Sequence, residues 1–245
     1  MRHAGLTALA LLGYLALISP VRAQPSENQY YALAGQLGKV EYQYYDRGVH
    51  DPQFPGLTSF VLSYNRVKWS YDYRFEERSG ERWLVVNVTI KPEFNVEVKH
   101  EMRLPRPSSE NDRGFNSVRR HEFDHVAISA DERPRLLLRH LFEHIGKIEK
   151  QIDPSTKVTA QLIDTQIEEQ LKVRHKAIVE VIKANYVLLD KASAHGTMPL
   201  PDRAAFFKAL YEKKRLAELK FEYLDEVSDL LKSLKYRQHV APYQK

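Results

Sequence analysis

A chain of 245 residues with 43% hydrophobic content is long enough to bury a core, in one large domain or two small ones. It has no cysteine, which excludes a disulfide framework and a cysteine-linked lipid anchor and leaves packing, with or without a bound metal, as the source of stability. The 37 Lys and Arg stand against 32 Asp and Glu, and the two signs are interspersed through the C-terminal half, so no concentrated nucleic-acid footprint is expected.

Residues 1–23 read as a secretory signal. Arg2 and His3 give a basic start, an apolar run extends from Ala4 to Ile18, and Val21-Arg22-Ala23 offers a small-residue cleavage site ahead of Gln24. The run is shorter than the roughly 20 residues of a spanning helix and Pro20 interrupts it. No later stretch is apolar enough to span. The expectation is an exported protein, periplasmic or secreted, with no stable membrane insertion after processing and a net charge of about +3.

Residues 30 to 105 are rich in aromatic and β-branched types. Strands are predicted over 60–64 and 67–75, then over 83–90 after a turn at Ser79-Gly80, and over 94–102, making one antiparallel sheet of three or four strands. A polar loop from 105 to 114, with Ser109 or Asn111 as cap, leads into a helix over about 115–130. Pro134 suits the first turn of a second helix, expected to run to about 152. Beyond it, Val158, Leu162, Ile167, Leu171, Ile178, Ile182, Tyr186 and Leu189 keep helical spacing. Gly196 and Pro199 to Pro201 break the pattern, and Phe206, Leu210, Leu216, Leu219, Tyr223, Val227, Leu230 and Leu234 resume it. This predicts an α+β chain: a signal at 1–23, a sheet-and-helix domain at 24–152, and an all-α helical hairpin at 153–245.

The chemistry concentrates at residues 121–125, His-Glu-Phe-Asp-His. Two histidines four apart on a helix project from one face and can offer imidazole nitrogens to one zinc ion. Glu122, about 100° further round, can reach a water at the metal without binding the ion itself, and so act as general base. Chance would give such a motif on the order of 0.03 times in a chain of this composition.

A catalytic zinc site needs a third protein ligand, and four residues qualify. His144 is favoured, 19 residues after His125 on the next helix, where it shares a face with His140 and Glu143. Glu143 and His140 are alternatives. Asp131, six residues after His125, is another, although Ile128 stands where a turn-making glycine would help the chain fold back, and Asp131 equally suits a helix cap.

With these residues in place, the chain resembles a domain family of unknown function whose members are predicted secreted bacterial zinc-dependent proteases of the zincin superfamily. The resemblance covers about 30–152 and rests on the Tyr30-Tyr31-Ala32-Leu33-Ala34-Gly35 start, the strands before Leu104-Pro105, and the helix carrying Arg120 to His125. It implies a zincin-like fold with His121 and His125 as zinc ligands and Glu122 as base. It settles no third ligand and says nothing of 153–245. In zincins a strand ahead of the active-site helix pairs with extended peptide, which casts 94–102 as a candidate substrate rail.

The leading expectation is a zinc metallopeptidase acting on a peptide or protein substrate, with the hairpin available for dimerisation or for a protein partner. A non-catalytic envelope scaffold and a zinc amidase acting on cell-wall peptides are the alternatives. His175, inside the apolar stripe, reads as an interface histidine. Tyr42, Tyr44 and Tyr45 read as sheet surface, and the stripe from Phe206 to Leu234 as hairpin packing.

Overall fold

The computed structural model describes residues 38–46, 56–109 and 113–238, together with 32, 35 and 36. The predicted signal, the expected start at Gln24, Tyr30, Tyr31 and Asn111 lie outside them. The fold is mixed α+β. In chain order its elements are β1 (Val40–Tyr45), β2 (Leu57–Asn65), β3 (Trp69–Arg78), β4 (Glu81–Ile90), β5 (Asn95–Pro105), α1 (Arg113–Ser129), α2 (Glu132–Glu143), β6 (Lys147–Ile152) and α3 (Ala160–Ser193). Four short helices follow: α4 (Arg203–Ala209), α5 (Lys213–Glu218), α6 (Ser228–Lys232) and α7 (Leu234–Gln238). No helix among the described residues is long and apolar enough to cross a membrane.

The strands form two three-stranded sheets instead of the single antiparallel sheet expected. In the first, β5 is central, parallel to β1 and antiparallel to β2, with Val40 opposite His100 and Thr58 opposite Met102. In the second, β4 is central between β3 and β6, both antiparallel. Alternation in sequence identifies the buried face of a strand but not its neighbour, and β5 has both edges taken by β1 and β2. The β3–β4 turn is as predicted: Ser79 and Gly80 both adopt positive φ, 52° and 79°, as a two-residue hairpin whose twist matches its strands requires.

Helix α2 stops at Glu143, well short of 152. The backbone N–H of His144 bonds back to the carbonyls of His140 and Phe142. Gly146 then turns at φ 63°, and the chain continues as β6, placing Ile148 opposite Val86. The return arm of the expected hairpin is likewise four short helices separated by turns, with Lys220 at φ 54° where a continuous helix would need a negative value. The outgoing arm is continuous: α3 has 34 residues, about 51 Å of helix, capped by Thr159, whose side chain accepts from the Leu162 N–H.

One buried apolar cluster joins both halves of the chain. It takes Leu62 from β2, Met102 from β5, Val86 from β4, Val126 from α1, Leu137 from α2, Ile178 and Ile182 from α3, and Leu216 and Tyr236 from the return arm. Each such side chain, fully buried, stabilises the fold by about 1.5–3 kcal/mol. Polar ties cross the same boundary. The Trp69 indole donates to Asp164 at 2.8 Å, and the Tyr211 hydroxyl donates to the Ile128 carbonyl at 2.7 Å.

Between α1 and α2 lies a buried ion pair. Asp131 caps α2 by accepting from the Arg133 N–H at 2.9 Å, and its other oxygen takes the Arg133 guanidinium at 2.7 Å. The remaining guanidinium N–H groups donate to the carbonyls of Phe207 and Lys208 at 2.8 and 2.7 Å, which fastens α4 to the start of α2. Removing one partner would strand a buried charge. Asp131→Ala is therefore expected to lower unfolding stability by about 3–5 kcal/mol in urea titration while leaving metal content unchanged.

Candidate metal centre

Every residue of α1 from His121 to its end at Ser129 is buried, and five of them are polar or charged: His121, Glu122, Asp124, His125 and Ser129. Phe123, Val126, Ala127 and Ile128 fill the core between them. A stripe of buried polar groups is costly unless each finds a partner, so their partners define the site.

His121 and His125, one turn apart, project toward α3 and meet Asp190 from its last turn. Their Nε2 atoms lie 3.2 Å apart, and each is 3.0 Å from Asp190 Oδ1. Among the described residues this is the group of His and acidic side chains whose ligand atoms converge closely enough for one ion. The tautomer of His121 follows from its other nitrogen. The Ser193 hydroxyl donates to the Leu189 carbonyl at 2.9 Å, so it accepts from His121 Nδ1 at 3.2 Å. That leaves a lone pair on His121 Nε2, aimed at a carboxylate oxygen. Two acceptors 3.0 Å apart repel unless a cation lies between them. A tetrahedral zinc site with bonds of roughly 2.0–2.1 Å has ligand-to-ligand edges of about 3.3 Å. The observed edges are a few tenths shorter, and the two-imidazole, one-carboxylate set is one that zinc accepts. Burial pushes the Asp190 carboxyl up, but positive charge at the His121 and His125 nitrogens outweighs it and holds the group well below the usual carboxylate range.

Glu122 points to the other side of the same cavity, a space of about 220 Å³ that it lines with Thr58, His121, His125, Tyr186 and Asp190. Thr58 Oγ1 donates to Glu122 Oε2 at 2.7 Å, which fixes the carboxylate against the first residues of β2. At Gly56 a Cβ would sit 2.4 Å from Glu122 Oε1, so this position has to lack a side chain for the carboxylate to lie where it does. Burial lifts the Glu122 carboxyl above its ordinary value, against the charge of His125, the Thr58 hydrogen bond and the charge of His121.

Around this cluster a second set of contacts holds its side chains. The Tyr186 ring packs on His125 with centroids 4.4 Å apart, and its hydroxyl meets Ser129 Oγ at 2.8 Å. Ser129 also lies 2.5 Å from His100 Nε2, whose Nδ1 donates to the Gly38 carbonyl at 2.6 Å. Asp124 forms an ion pair with Arg203, tying the segment after α3 to α1. His195, in left-handed conformation at φ 53°, stands at the cavity mouth with Nδ1 3.7 Å from Asp190.

The structure brings His121, Glu122 and His125 together as expected from their spacing, and it directs the candidates for the third position elsewhere. His144 is exposed, stacks on His140 and bonds its carbonyl at 2.8 Å. His140 Nε2 donates to the Glu226 carbonyl at 3.0 Å, Glu143 is exposed, and Asp131 is held by Arg133. His140, Glu143 and His144 do share a face, but that face is turned to the Glu226 carbonyl and to solvent instead of toward α1. Asp190, which takes the place next to the histidines, lies 65 residues beyond His125 and was missed. Its signal was a polar set within an apolar stripe: Tyr186, Asp190 and Ser193 are four and three apart, on one face of α3. The candidate rail at 94–102 is also displaced, because β5 is a central strand; β2 is an edge strand, and its first residues line the cavity. His175 donates to the Leu62 carbonyl at 2.8 Å and packs on Tyr64.

No family model matches the chain, and comparison with the curated proteins and with the solved structures found no match.

The His100 contact carries a pH dependence. Burial pulls its imidazole from 6.5 down to about 4, against the hydrogen bond to Gly38. Between those values the unfolded chain takes up a proton that the folded one refuses, so stability falls as pH falls through that window. The expected loss is about 3 kcal/mol from this group by pH 4. Urea titrations at pH 7, 5.5 and 4 check it, with His100→Gln less stable at pH 7 but showing a flatter acid limb than wild type.

Proposed function

We propose that the protein is a zinc-dependent hydrolase of peptide bonds with a zincin-like arrangement, in which His121, His125 and Asp190 hold the ion and Glu122 is the general base. The observation that carries this reading is the triangle of Nε2, Nε2 and Oδ1 atoms, 3.0 to 3.2 Å on each edge, with a buried carboxylate beside it on the same cavity. Zinc bound there supplies Lewis acidity, polarising a carbonyl oxygen and lowering the pKa of a water.

The chain's own groups supply the rest. Glu122 takes the proton of the attacking water and returns it to the leaving amine, a role suited to a carboxyl raised by burial. Thr58 keeps one carboxylate oxygen fixed so that the other faces the cavity. The edge of β2 offers extended peptide a backbone to pair with. Since the Leu62 carbonyl takes a hydrogen bond from His175 of α3, it points away from β5; by the alternation of a strand, so do the backbone groups of Thr58 and Phe60, next to the cavity. A site of action outside the cytoplasm goes with the predicted signal.

The test begins with metal. Elemental mass spectrometry of the chain from Gln24 is expected to find about one zinc per molecule, lost in His121→Ala and in Asp190→Ala and kept in His144→Ala. Glu122→Gln should keep the zinc and lower cleavage of an unfolded protein substrate by about 10²–10⁴-fold. Absence of zinc after supplementation would overturn the reading. Zinc with no cleavage of proteins, but cleavage of isolated muropeptides, would make the enzyme a cell-wall amidase.

A further inference from the structure

The return arm, with Arg133 at the start of α2, lines a second cavity, of about 600 Å³. It shares no lining residue with the first. Its floor is Leu231 and Tyr236, both buried, and its walls are basic: Arg133, Lys208, Lys213, Lys214, Lys232 and Arg237, with Glu212 the one acid among the lining residues.

Two of these charges are already answered. Arg133 pairs with Asp131, and Lys232 pairs with Asp229 at 2.9 Å. Arg237 spends one N–H on the Lys232 carbonyl and has no acidic partner among the described residues. Lys208, Lys213 and Lys214 have exposed side chains and no acidic partner among the described residues. Lysines scattered on a convex surface are simply solvated. Here they converge on a concavity with a low-dielectric floor, which concentrates their field and favours an anion. The space is also far larger than an inorganic anion fills and falls in the range of small-molecule sites.

We propose that this cavity binds an anionic amphiphile, a single molecule with a phosphate or carboxylate head held by Lys208, Lys213, Lys214 and Arg237 and an apolar tail laid on Leu231 and Tyr236. Charge selects the head and the floor selects the tail. Tyr236 offers its ring alone, because its hydroxyl donates to the Tyr211 carbonyl at 2.8 Å.

Calorimetric titration of the full chain with dodecyl phosphate, below its micellar concentration, tests the proposal beside dodecyl maltoside and inorganic phosphate. One saturable site for dodecyl phosphate is expected, with at least tenfold weaker binding of the other two. The double variant Lys213→Glu, Lys214→Glu should weaken it at least tenfold, while the same reversal at Lys91 and Lys99 leaves it within twofold. Ser228→Trp, which narrows the cavity without touching the charges, should also weaken it, with circular dichroism confirming the fold of each variant. Equal affinity for the maltoside, equal affinity for inorganic phosphate, or no binding of dodecyl phosphate would each overturn the proposal.

Discussion

Two imidazole nitrogens and a carboxylate oxygen, each within 3.2 Å of the others, bring three groups with lone pairs to one point, where a shared proton or a metal ion would answer them. A proton on one imidazole neutralises part of that repulsion; a divalent ion answers all three acceptors at once. The surrounding structure works against relaxation of this cluster. Ser193 holds one ring from behind, Tyr186 packs on the other, and the helices that carry them are fixed by a continuous apolar core. The crossing of α1 and α3 is thus set by packing and also sets the donor geometry, so a metal ion bound as proposed would be thermodynamically linked to the docking of these two helices.

That linkage changes the meaning of the C-terminal half. From periodicity alone, the helices after residue 153 read as an appended hairpin. Their outgoing arm instead delivers Asp190 to the cluster, covers Phe60 with Tyr186 at a centroid distance of 5.3 Å, and reaches back to Leu62 through His175. The return arm supplies Arg203 to Asp124 and two backbone carbonyls to Arg133. Asp131 and Asp124 then read as the charges that fasten this half onto α1 and α2.

What could be read from sequence divides along physical lines. His121 and His125 were legible because helical pitch alone makes residues four apart neighbours, and the Ser79-Gly80 turn because its backbone demands are local. Strand positions were legible and their pairing was not: Val96, Val98 and Met102 show β5 to have a buried face without showing that β1 lies parallel beside it. The end of α2 was missed because Gly146 acts after a run of residues that favour helix, while the place of His144 depends on which face of α2 packs on α1, which spacing does not give. Asp190 was beyond local rules altogether. Its meeting with His125 depends on how a helix of about 51 Å crosses another, which is a property of the whole core.

The hydrogen-bond chain behind the site has a direction, and the direction limits what its members can do. The Gly38 carbonyl can only accept, so His100 carries its proton on Nδ1 and presents a lone pair on Nε2. Ser129 must then donate to His100, at 2.5 Å, and accept from Tyr186. The Tyr186 proton is committed to that chain, and burial together with the nearby negative charge of Glu122 and Asp190 keeps the phenol from giving it up. Tyr186 therefore serves the centre as a rigid face against His125. A buried network of this kind fixes one orientation only when every member is satisfied. The depressed pKa of His100 is the cost of that rigidity at low pH, borne 29 positions in sequence from Ser129, to which it is bonded.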